Sequence, residues 1–270
     1  MHLPFLSSGP KPAMIGVSTL SSKSFAPYGT VISPPLPNDL VAAPSHLPSL
    51  PSKPTEPTLV NQGYAIKYSP VSPMENSYGT GGEARQPASP RISLFSCFPR
   101  KLRESGDSSA RLLFDVRVLE RHPYTSQTFI PLSTSSRGRG NGSRDASTNS
   151  PSTTIRNDAI YLIIVAPSLT GQTVTATVKA KDDHADLATI RDPPDLSNLQ
   201  AFIAKPGEAI TYATGTWHAP MVVLGEKRID FVVIQFMNGV EDDDCQIVTF
   251  DGIAVGIPDP AINQRSRARL

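Results

Sequence analysis

Cysteine is nearly absent from this sequence of 270 residues, which holds only Cys97 and Cys245. Two thiols cannot build a disulfide framework, and their scarcity fits a reducing compartment. An excess of charge is missing too. The 25 basic and 24 acidic residues leave a net charge of +1, so nothing favours nucleic acid or an anionic membrane as partner. No apolar run is long enough to span a bilayer. The longest, AIYLIIVAP at 159–167, has the length of a buried strand. The opening MHLPFLSSGPKPAMIG lacks the basic start and unbroken apolar stretch of a secretion signal. These absences together predict a soluble intracellular protein. Helical periodicity is scarce as well, with residues 195–199 reading as a single turn.

Proline is what the chain has in quantity. Of its 27 prolines, eight fall between Pro34 and Pro57, where neither a regular helix nor a central strand is possible. Residues 72–90 are Gly-rich and polar. Residues 133–157 are mostly Ser, Thr, Gly, Asn and Arg, with nothing to pack. The segments 34–58, 72–90 and 133–157 are therefore expected to be loop insertions in one domain spanning 1–270. The Arg-Gly stretch at 137–142 has an RNA-binding reading, but such segments come in longer arrays and a surface loop is the plainer account. The terminal Ala268-Arg269-Leu270 is a small-basic-Leu variant of the peroxisomal address; its plain reading is an exposed basic tail.

What remains reads as strands. Alternating or β-branched patterns occupy 63–68, 91–95, 112–119, 128–132, 159–166, 173–179, 201–204, 209–212 and 229–236. Many strands with few helices need a closed arrangement to dispose of their edges. The expected fold is all-β, a cupin-like β-barrel of the jelly-roll or double-stranded β-helix kind, with long insertions and little helix. At 39% hydrophobic residues the chain can bury one good core or two small ones.

The chemistry concentrates at two points. Glu120 and His122 follow the alternating run Phe114, Val116, Val118, and period two sends both to one face. Gln127 comes five residues later, and Trp217-His218 adds a second imidazole. Metal-binding cupins carry His-x-His-x(3 or 4)-Glu and, further on, a lone His. Here the pattern is Glu120-x-His122-x(4)-Gln127, then His218 after Pro206-Gly207. Two identities differ, yet two imidazoles, a carboxylate and an amide oxygen can hold one divalent ion such as nickel, manganese, iron or zinc. The amide is the poorer donor, so binding should be weak. Plainer readings stand beside this one. His122 before a proline can end a strand, Glu120 can pair with Arg117 or Arg121, and His218 can be a hydrogen-bonded core histidine.

Several segments taken in order resemble the ureidoglycolate lyase family. They are SFAPYGTVI at 24–32, LERHPYTSQTFIPL at 119–132, PDLSNLQAFIAKPGEAITYATGTWHAPM at 194–221 and DFVVI at 230–234. The resemblance implies a cupin-like barrel, usually dimeric, that cleaves (S)-ureidoglycolate to glyoxylate and urea in allantoin and purine breakdown. The long polar loops fit a fungal member. It also implies roles: His122, Gln127 and His218 hold the metal or substrate oxygens, and Glu120 is a ligand or the base. Tyr212 is a candidate proton donor, with a barrel-lining aromatic as its plain reading. Arg121, Arg91 or Lys205 would meet the substrate carboxylate. Two other functions keep the same site. One is an amidohydrolase that releases ammonia, the other a non-catalytic cupin that binds a small acid.

Overall fold

The computed structural model describes residues 3–7, 13–37, 39–50, 56–80, 86–106, 112–132, 160–179 and 185–257. The insertion expected at 133–157 and the terminal tripeptide lie outside them.

The main strands in chain order are β1 (Gly29–Ile32), β2 (Ser89–Cys97), β3 (Leu112–Arg121), β4 (Gln127–Pro131), β5 (Tyr161–Ala166) and β6 (Thr173–Lys179). They are followed by β7 (Ala185–Arg191), β8 (Gln200–Ala204), β9 (Ala209–Tyr212), β10 (Trp217–His218), β11 (Ile229–Met237) and β12 (Gln246–Ile257). Helix is confined to short turns: four residues at Ser22–Phe25, four at Glu241–Asp244 and three-residue 3-10 turns such as Leu196–Asn198. The protein is all-β, as its alternating patterns predict.

Two sheets carry the fold. The smaller has five strands in the order β1-β9-β4-β11-β2, with antiparallel neighbours throughout. The larger runs β7-β6, then through the short Pro4–Phe5 strand to β12-β3-β10-β5-β8, and ends on the Val17–Thr19 strand. Strand β5 explains the layering. Its six residues YLIIVA are all buried because both faces are covered, which is why it reads as a continuous apolar run. Tyr161, Ile163 and Val165 meet Phe129, Ile210, Phe231 and Val233 of the small sheet. Leu162, Ile164 and Ala166 face away, toward Phe114, Val116, Val248, Val255 and Trp217. Two apolar clusters thus share one central strand.

At one end the small sheet closes very tightly. Gly29 of β1 has φ +150°, and a Cβ there would stand 1.8 Å from the Thr211 carbonyl oxygen. Only glycine lets β1 lie against the end of β9. The cross-strand partner of Gly29 is Tyr212, whose ring is buried in the cluster between the two sheets.

The segment 72–80 has a more definite structure than its polar composition suggests. It is a strap fixed by hydrogen bonds across the mouth. Ser72 Oγ donates to Thr211 Oγ1, Ser77 N to the Tyr124 carbonyl, Thr214 Oγ1 to Glu75 Oε2 and Tyr78 Oη to Asp244 Oδ1. The next strand then begins at Ser89, inside the range read as insertion.

Candidate active site

The site forms where facing strands of the two sheets turn polar at the same level. In β11 the inward series is Ile229, Phe231, Val233 and then Gln235. In β4 it is Pro131, Phe129 and then Gln127. Register sets Gln127 beside Tyr212, Tyr212 beside Gly29, and Gln235 beside Arg91. On the opposite sheet Val165 pairs with His218, and His218 with Glu120. One row of the small sheet (Tyr212, Gln127, Gln235, Arg91) therefore looks across at Glu120, His218 and His122, above an apolar floor.

The hydrogen bonds determine which ring nitrogens face the centre. His122 Nδ1 lies 2.6 Å from the Asp244 carbonyl, and His218 Nδ1 lies 2.9 Å from the Thr216 carbonyl. A carbonyl only accepts, so both Nδ1 atoms carry hydrogen and both Nε2 atoms present lone pairs when the rings are neutral. The ring centroids are 5.6 Å apart. His218 Nε2 is 3.5 Å from Glu120 Oε1 and 3.1 Å from Gln127 Oε1. His122 Nε2 is buried and has no partner. The ligand atoms of Glu120, His122 and His218 all lie within 4.8 Å of one another. Converging acceptors in a buried space repel unless a proton or a cation stands between them, so the donor set fits a divalent ion.

Burial sets the protonation states. It pushes the His122 pKa down, helped by the neighbouring His218, while the Asp244 carbonyl, Glu120 and the Gln127 amide pull the other way; the result lies below the usual 6.5. Burial raises the Glu120 carboxyl, but the adjacent His218 and, after it, His122, each through the positive charge it carries when protonated, outweigh this, and its pKa lies below 4.5. The Tyr212 phenol is held well above 10 by burial, with Tyr161 and Glu120 adding to the shift. Its ring stacks on His218 at 3.8 Å and 15°, and its hydroxyl, like His122 Nε2, is buried without a partner.

Of the residues singled out in the sequence, Glu120, His122, Gln127, His218 and Tyr212 come together, and Arg91 stands at the rim on the exposed strand β2. Two do not join them. Arg121 points to the other face of β3, where it lies 4.7 Å from the Trp217 ring centroid and donates to Gln246 Oε1 and the carbonyls of Arg191 and Asp192. One-residue alternation sends it away from its neighbours. Lys205 follows Ala204, which pairs with Tyr161, four residues from the Val165 that adjoins the site. It belongs to the far end of the barrel.

Three contributors escaped the sequence reading. Gln235 had a signal, since a polar side chain interrupts an inward apolar series. Asp244 gives His122 a backbone carbonyl, which carries no mark in a sequence. Tyr78 sits in the strap, where its ring packs on Tyr124 and its hydroxyl meets the Asp243 carbonyl and the Asp244 carboxylate.

A family model described as ureidoglycolate lyase matches residues 12–256. This chain belongs to the ureidoglycolate lyase family. Among its relatives, the ureidoglycolate lyase of Schizosaccharomyces pombe is 30% identical over 86% of this chain and 90% of its own length. That of Saccharomyces cerevisiae is 31% identical over 80% of this chain and 82% of its own. A bacterial relative of the same name, from Burkholderia mallei, is 24% identical over 82% of this chain and 81% of its own. No helix among the described residues is long and apolar enough to cross a membrane.

Proposed function

We propose that the chain is a ureidoglycolate lyase that cleaves (S)-ureidoglycolate to glyoxylate and urea, a step of allantoin and purine breakdown. One carbon of the substrate carries a hydroxyl, a carboxylate and the ureido nitrogen. The carbon–nitrogen bond breaks as the hydroxyl loses its proton and becomes the carbonyl of glyoxylate, and the departing nitrogen takes up a proton. The reaction needs a proton acceptor, a proton donor and a hold on the two oxygens. The observation that carries this reading is the cluster of converging acceptors beside Tyr212, whose ring stacks on His218 and whose buried hydroxyl has no partner, in a chain of this family.

The roles follow from the protonation states. Glu120 is ionised at neutral pH and is assigned as acceptor of the hydroxyl proton. Tyr212 keeps its proton and is assigned as donor to the departing nitrogen. Arg91, whose side chain has no hydrogen bond or ion pair among the described residues, is the cation assigned to the substrate carboxylate. A divalent ion would be held by His122, His218 and Gln127 Oε1, with Glu120 as a fourth ligand where it does not serve as the base, and when bound would supply Lewis acidity to the substrate hydroxyl and carboxylate oxygens. Nickel, manganese, iron and zinc all suit these donors.

The proposal extends to a homodimer, supported by the bare apolar side chains of Ile92 and Leu94 on strand β2, which are 77% and 64% exposed. Light scattering at the monomer mass would overturn it. Import into peroxisomes rests on Ala268-Arg269-Leu270, and imaging the tagged chain with and without the tripeptide decides it against a cytosolic location.

The central test is to incubate purified protein with ureidoglycolate and follow glyoxylate, urea and ammonia, before and after chelation and metal return. Equal amounts of glyoxylate and urea above the spontaneous rate are expected, with chelation lowering the rate and one of the four metals restoring it. Ammonia would make the protein an amidohydrolase, and binding without turnover a non-catalytic cupin.

A further inference from the structure

A side-chain amide has one accepting end and one donating end, and only the oxygen can serve a cation. Gln127 is therefore a ligand in one orientation only. In that orientation its Nε2 donates to Gln235 Oε1 at 2.5 Å and its Oε1 faces His218 Nε2 at 3.1 Å. Both glutamines are buried, at 3% and 9% exposure, so water does not compete for their amides. Turned over, Gln127 would offer its NH2 to the lone pair of His218, an ordinary hydrogen bond that closes the metal position. The choice between a ligand and a plug thus depends on what meets the outer end of Gln127. The group that meets it is Gln235.

We propose that Gln235 is a positioning residue that sets the polarity of the Gln127 amide, turning its oxygen toward the histidine pair and so completing the cation site. The inference rests on the metal reading above and deepens it. Gln235 touches neither imidazole through any hydrogen bond among the described residues; it acts through Gln127. Its place follows from register. It extends the inward series of β11 by one step past Val233, level with Gln127 on the neighbouring strand.

The test compares Gln235→Glu, which can only accept, with Gln235→Leu, which does neither, and Gln235→Lys, which can only donate. Zn2+ affinity is read by competition with a chromophoric chelator. The orientation of the Gln127 amide is read without metal, from nuclear Overhauser contacts of its NH2 protons. Gln235→Glu should bind Zn2+ at least as tightly as the parent, whereas Gln235→Leu and Gln235→Lys should weaken it by about ten- to a hundredfold. The Gln127 NH2 should contact the residue 235 side chain in the parent and in Gln235→Glu. In Gln235→Leu and Gln235→Lys it should move to the His218 ring protons. Equal Zn2+ affinity in all four proteins overturns the proposal, as does a parent protein whose Gln127 NH2 already lies against the imidazole. A parent that takes up no Zn2+ sinks the zinc form of the metal reading by itself, and the amide contacts then still decide whether Gln235 sets the orientation.

Discussion

The two faces of the contact between β3 and β10 are built from adjacent residues, yet their polar atoms are satisfied very differently. On one face the Arg121 guanidinium lies over Trp217 and donates to three oxygens, while the indole N–H donates to the Asp192 carbonyl. On the other face Glu120, His122 and His218 direct acceptor atoms at one another, and His122 Nε2 has no partner. A buried polar group with its partners in place is scaffold. One held without a partner carries a free-energy cost, and such groups gather where ligands bind or protons move. Residue type alone would have misled here, because Arg121, a permanent cation between Glu120 and His122 in the sequence, belongs to the scaffold.

The comparison breaks most visibly at His218. His218→Ala removes one Nε2 donor and the ring on which Tyr212 stacks. Zn2+ affinity and kcat/KM are both expected to fall at least about a hundredfold, roughly 2.7 kcal/mol each. Chelator competition and glyoxylate release measure the two losses, and an unchanged turnover would return His218 to the scaffold. Arg121→Met should behave in the opposite manner. It preserves contact with Trp217 but leaves buried oxygens without donors, at a cost of about 1–3 kcal/mol. Thermal melting should drop by several degrees, about 2–4 °C per kcal/mol for a chain near this size. Zn2+ affinity of the folded protein should hold. A weakened metal site at an unchanged melting temperature would mean that Arg121 serves the acceptor face after all.

How much of this was legible in the sequence depended on whether a residue's role lies in its side chain and its phase. The readings 173–179 and 209–212 coincide with β6 and β9, because alternation starts and stops cleanly there. Strand β12 was missed although it is the longest among the described residues. Its register shifts between Thr249 and Ile253, so the apolar phase breaks around Asp251-Gly252. Strand β7 was missed because, at the sheet edge, its described side chains are only exposed or half-buried. The reading 63–68 shrank to Ala65–Lys67, since Gln62 and Gly63 take positive φ in a turn. At the site, Glu120, His122, Gln127 and His218 stand out by type and spacing because they sit at strand ends that register brings level. Asp244 acts on His122 through its backbone and lies in the acidic run 241–244, which reads as a solvated surface.

Acid should dismantle the acceptor face before the scaffold face. The folded pKa values of His122 and Glu120 lie below their ordinary 6.5 and 4.5. Between each ordinary value and its lower folded value the unfolded chain binds more protons, so stability falls as pH falls. The contribution of His122 is fully present above about 6.5 and that of Glu120 above about 4.5, and each is lost as pH drops through its folded pKa. Zn2+ affinity should decline in the same direction, because a protonated imidazole offers no lone pair. Denaturant titrations from pH 8 to pH 4 measure this. Stability that rises on acidification through pH 6 would mean that His122 is held protonated in the fold.

The smallest expected effect separates the site from the strap that crosses it. Tyr78 Oη donates to Asp244 Oδ1 at 2.8 Å, while the same carboxylate also accepts from the backbone N–H groups of Asn238 and Gly239. Tyr78→Phe removes one donor of three and leaves Asp244 satisfied by the other two. The loss should be about 1 kcal/mol of stability, with Zn2+ affinity changed by no more than a few-fold. If affinity instead falls by more than stability does, the Asp244 carbonyl that holds His122 has moved with its side chain. The strap would then belong with the acceptor face, and position 78 would govern the metal site at a distance.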